Sequence, residues 1–114
     1  MALTFAVLRV YLHLSPDTDL DVAGYNIHHL FTGLIILTLG GVAAVVLPAS
    51  HRWSLAAVAI FGVGLSMALD ECVYLIVTDG TNESYLLPVS FWGAVVVITL
   101  TIVYTLVIGR RSRG

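Results

Sequence analysis

The stretch Trp53–Val77, WSLAAVAIFGVGLSMALDECVYLIV, decides the fold. It is long enough to cross a bilayer as one helix, and its only charged residues are two neighbouring acids, Asp70 and Glu71. An acid near the centre of such a helix costs roughly 2.5 to 3.5 kcal/mol on insertion scales, so it faces a partner, water or a functional site.

Composition fixes the class around this stretch. With 59% hydrophobic residues, 11% charged residues and a mean hydropathy of +0.99, the chain lies far from soluble composition. Two further uncharged runs flank the central one. Leu30–Pro48 approaches the hydrocarbon thickness and is completed by His28 and His29; Leu86–Gly109 follows, with Pro88 suited to a first helical turn. The expectation is an all-α membrane bundle forming one domain, with transmembrane helices over 28–48, 53–78 and 87–109 and a basic tail at 110–114. Met1–Leu14 is apolar except for Arg9 and His13, which share a helix face. At roughly 21 Å it is short for a span, and reads as an interfacial helix or a short fourth crossing whose arginine snorkels. No early positive charge and no small-residue cleavage site mark it as a signal peptide.

Charge then orients the bundle. Arg52 and the Arg110, Arg111, Arg113 tail fall on one side of a three-span layout, which the positive-inside tendency makes cytoplasmic. The 15–27 and 79–86 loops, with Asp17, Asp19, Asp21, Asp79 and Glu83, then lie outside. Asn82-Glu83-Ser84 is an N-glycosylation sequon there, a triplet common by chance. A net charge of −2 and a single short basic element give no support to nucleic-acid binding. The lone Cys72 excludes an intrachain disulfide and a thiolate zinc cluster, and in an apolar helix reads as a small packing residue.

On this layout Asp70 lies about 13 Å down its helix from Asp79, and His28 and His29 enter the preceding span from the same side. Asn26 would cap that helix. Gly33, Gly40 and Ala44 form a small-residue stripe below the histidines, while Gly62, Ser66, Asp70 and Tyr74 recur every fourth residue on the next span, so these faces are expected to meet. Tyr25 and His13 would add contacts from the outer rim. The candidate site is therefore His28, His29, Asp70 and Glu71 in the outer leaflet, supported by Asn26, Tyr25, His13, Ser66 and Tyr74. Imidazole with carboxylate suits a divalent zinc, iron, manganese or nickel ion. Adjacent helix positions point about 100° apart, so one member of each pair would bind and the other would support it. The same residues also suit a shared proton, or a hydrogen-bonded network that fixes helix packing. Trp53, Tyr85 and Trp92 read as interfacial anchors, and His51 as a solvated loop residue.

Tyr25-Asn26-Ile27-His28-His29 with Gly33, followed by Leu69-Asp70-Glu71, resembles a group of small, uncharacterised prokaryotic integral membrane proteins. These share an I-H-H-x3-G element opening one helix and an L-D-E element within the next. The match covers 25–75, and many members carry a further histidine where this chain has Asn26. The resemblance implies a prokaryotic cell membrane and a single unit of histidines and acids, with no settled activity. Two function classes stand from sequence: an ion- or proton-holding membrane site, and a structural or accessory subunit that docks on a larger membrane protein or on its own copies. A membrane enzyme acting on lipid or quinone through a metal-bound water needs an open coordination position that no motif here supplies.

Overall fold

A computed structural model of the protein describes residues 1–15, 20–22, 25–27 and 29–112, with side chains over 1–15, 29–81 and 84–112. In chain order the elements are α1 (Ala2–Leu14), β1 (Leu20–Val22), β2 (Tyr25–Ile27), α2 (His29–Val46), α3 (Ser54–Val77), α4 (Asn82–Tyr85) and α5 (Pro88–Arg111). Three of these, α2, α3 and α5, are long and apolar enough to cross a membrane. Their bounds fall within one or two residues of the hydropathy runs, because uncharged length sets them. Gly80, with φ of 78°, makes the turn after α3 in a conformation that costs a side chain dear. Pro88 opens α5, where its missing N–H is no loss.

α3 is the centre of the bundle. Against one side α2 packs antiparallel through glycines whose missing side chains let backbone meet backbone. A methyl group built on Gly33 would lie 2.8 Å from the Ala68 nitrogen, and one on Gly40 would lie 2.8 Å from the Phe61 Cα. One on Gly64 would lie 2.7 Å from both the Gly33 carbonyl oxygen and the Leu37 Cα. Close approach of this kind is what drives helix association in lipid, where burial of apolar surface gives no net gain. The seam therefore runs through Gly33, Gly40 and Gly64. Gly62, expected on it, faces α1 instead, with the Met1 Cγ 3.8 Å from where a methyl would sit. Two residues along a helix is a turn of about 200°, which is why Gly64 and Gly62 serve opposite neighbours.

On that opposite side lie α5 and α1. Gly93 of α5 admits the Val73 side chain, and Phe5 of α1 meets Phe91 of α5 at a ring separation of 5.8 Å. α1 runs in the same sense as α3: the Ser66 hydroxyl donates to the Met1 carbonyl at 3.0 Å, while Arg9 reaches Asp70. Since Ser66 is near the middle of α3, the 13 residues of α1, about 20 Å long, cover only the half of the bundle nearer Asp79.

The segment between α1 and α2 contains an element the helical reading omits. β1 and β2 pair antiparallel, with Leu20 opposite Ile27, Asp21 opposite Asn26 and Val22 opposite Tyr25. Asn26 is thus a strand residue, and α2 begins three positions later. The pairing gives backbone groups at this end of the bundle hydrogen-bond partners without lengthening a helix.

Candidate functional site

The acid at Asp70 is 3% exposed, and the side chain that meets it is Arg9. The guanidinium Nε donates to Asp70 Oδ1 at 3.0 Å and Nη2 donates to the same oxygen at 2.5 Å. Nη2 also donates to the Ser90 hydroxyl at 3.2 Å, and Nη1 to the Tyr85 carbonyl at 2.9 Å. The second carboxylate oxygen, Oδ2, accepts a short hydrogen bond from the Tyr85 hydroxyl. One arginine therefore ties α1 to α3, to α4 and to α5. The exposures of the paired side chains, 9% for Arg9 and 4% for Asp70, put the pair out of water, where a charge is tolerable only when paired and hydrogen-bonded.

Aromatic faces complete the enclosure. The Arg9 guanidinium carbon lies 4.1 Å from the Tyr85 ring centre, 5.6 Å from that of Phe5 and 5.8 Å from that of Phe91. A planar cation with a delocalised charge stacks on such faces where an ammonium would need more water. Tyr85 is in turn held edge-on by Tyr74, at 5.2 Å between centroids. Burial, followed by the nearby Asp70 carboxylate, raises the Tyr85 phenol well above its ordinary range, so it remains a donor.

The residues expected to support a histidine–acid site serve other ends. Ser66 binds the first turn of α1, and Tyr74, 2% exposed, donates to the Thr81 carbonyl at 3.0 Å and so holds the loop after α3. His13 is exposed on α1, one turn beyond Arg9. Glu71 is buried at 4% exposure beside Asp70, and His29 is half-buried at the first position of α2. His28, and the side chains of Tyr25 and Asn26, lie outside the described residues. Among the described residues no group of three or more His, Cys, Asp or Glu side chains is placed to hold a metal ion. Cys72 is exposed on α3.

Asp70 was legible as the costly residue, whereas its partner was not. Arg9 and Tyr85 read from sequence as a snorkelling charge and an interfacial ring; both are parts of the buried centre. The one available signal was depth: a lone cation in an apolar helix and a lone acidic pair in another are each other's cheapest neighbours when the helices run side by side. No protein family, curated protein sequence or solved structure matches the chain.

Proposed function

We propose that this small multi-pass membrane protein is a structural or accessory subunit of a larger membrane complex, in which Arg9, Asp70, Tyr85 and Ser90 lock the helices into a fixed outline. The observation that carries this reading is the single guanidinium bonded to α3, α4 and α5 at once. Polar groups arranged this way specify which helices sit together and in what register. The outer surfaces of α2 and α5, with exposed residues such as Ile35, Leu39, Val42, Leu100 and Val103, then face lipid or the helices of a partner. The resemblance to small prokaryotic membrane proteins supports a cell-membrane setting, and the arginines at 52 and 110–111 support a cytoplasmic C-terminus.

An ion-holding site is the weaker reading, because Asp70 is committed to Arg9 and the ligand set reduces to His28, His29 and Glu71. Two measurements separate the readings. Purified protein carrying a stoichiometric divalent metal, lost in Glu71→Gln and His29→Ala, would overturn the locking proposal. Under that proposal the metal content is negligible, Glu71→Gln is tolerated, and Arg9→Met loosens the bundle. Extraction of the tagged full chain in native lipid discs tests the accessory role: the chain travels with other membrane proteins or further copies, and a lone protomer would refute this part.

A further inference from the structure

A cleft of about 320 Å³ opens between α1 and the start of α5, lined by Arg9, Val10, His13, Leu14, Leu86 and Phe91. Its walls are apolar apart from two nitrogen donors, Arg9 and His13, which lie four residues and so about 6 Å apart along one face of α1. Arg9 is not exhausted by the network described above. Of the five guanidinium N–H groups, Nε–H serves Asp70, Nη2 serves Asp70 and Ser90, and Nη1 serves Tyr85, which leaves one Nη1 hydrogen without an acceptor among the described residues. His13 is exposed and supplies a ring N–H in either charge state.

We propose that this cleft binds one phospholipid molecule, with its phosphate accepting from His13 and from the remaining Arg9 N–H and an acyl chain lying along Val10, Leu14, Leu86 and Phe91. Three features point to this occupant. The donors are spaced for a group with several acceptor oxygens. They sit toward the end of the bundle where α1 and the α4–α5 junction emerge, where head groups lie when α3 spans the bilayer. The rest of the lining would accept hydrocarbon and nothing charged. Arg9 is thereby shared between an internal partner, Asp70, and an external one, so a seated phospholipid adds a further tie to the same guanidinium. The helix lock does not depend on it: Asp70, Tyr85 and Ser90 engage Arg9 with the cleft empty or full.

The test uses the purified full-length chain in detergent and counts retained molecules by native mass spectrometry, with three probes. Phosphatidylglycerol carries both phosphate and chains, diacylglycerol carries the chains alone, and inorganic phosphate carries the head chemistry alone. Phosphatidylglycerol should be retained at one per protomer, and at least about fivefold better than diacylglycerol, the factor one favourable charge contact near a membrane surface is worth. Val10→Trp fills the cleft from an exposed position and should abolish retention of the phospholipid, while His13→Glu, at the exposed rim, should remove the preference over diacylglycerol. Equal retention of diacylglycerol and phosphatidylglycerol by the wild type would overturn the proposal, as would inorganic phosphate binding as well as the lipid. So would phospholipid retention unchanged in both variants. Because His13 and Val10 take no part in the Asp70 network, loss of lipid with unchanged unfolding stability separates this inference from the locking reading.

Discussion

Replacing Arg9 with methionine keeps the unbranched stem and removes the guanidinium, which makes it the most direct measure of the buried centre. Two scales bracket the cost. In soluble proteins, removing one partner of a buried ion pair costs about 3 to 5 kcal/mol, because the other charge is left behind. Interhelical hydrogen bonds in lipid average only about 0.6 kcal/mol, so the four engaged N–H groups of Arg9 set a lower figure of about 2 kcal/mol. Asp70 is 3% exposed and keeps only the Tyr85 hydroxyl among its described partners, so the upper scale governs and Arg9→Met should cost about 3 kcal/mol. The assay is reversible unfolding in mixed micelles of a mild and a denaturing detergent. The double variant Arg9→Met/Asp70→Leu removes both charges and should recover to within about 1 kcal/mol of the wild type, since matched apolar replacements of buried pairs are close to neutral. A single variant within about 1 kcal/mol of wild type, or a double variant as poor as the sum of its singles, would refute the reasoning.

Three further outcomes follow from the packing and the loop. Gly64→Ala puts a methyl 2.7 Å from the Gly33 oxygen and should cost about 1 to 3 kcal/mol in the same assay, whereas Gly62→Ala meets only ordinary contact and should be neutral or stabilising by up to about 1 kcal/mol. The Tyr85 phenol is raised by burial and by Asp70, so the fold favours its neutral form; that stabilisation is complete below the ordinary tyrosine range near 10 and is lost only as pH climbs toward the higher folded value. Alkaline difference absorbance at pH about 11 should therefore count the same number of ionised phenols in wild type and Tyr85→Phe. Hydrogen bonds from Ser84 and then Thr81 hold the Asp79 carboxyl below the usual carboxylate range, so its contribution to the 79–85 turn is present above that range and fades as pH falls through the folded value. The protection of the Thr81 and Ser84 amides, measured against the intrinsic exchange rate at each pH, should fall in acid, and Asp79→Asn should show the lowered protection at neutral pH.

The spans were legible because hydropathy and uncharged length are properties of consecutive residues, and consecutive residues are what a sequence displays. The acid at Asp70 stood out for the same reason. What held it did not, because the helix that supplies Arg9 is too short to announce its depth. The complementary side chains that open the adjacent span from the same side are the histidines at 28 and 29, while the fold brings in a residue 61 positions away. Tyr85 was hidden by an ordinary alternative role for a ring at a span end, and the Gly62/Gly64 choice by two glycines that differ only in which way α3 is turned. The β1–β2 pairing was obscured because the acidic residues around it read as loop. Three residues a side leave too little alternation to see.

The lock also has a consequence for how the chain is assembled. Arg9 is synthesised long before its partners, which follow 61, 76 and 81 residues later. No stage of translation before Ser90 offers that guanidinium its complete set of acceptors, so the lock closes only once the start of α5 is in place. The earlier helix is then seated by the later one, and correct insertion of α5 becomes the condition on which α1 closes.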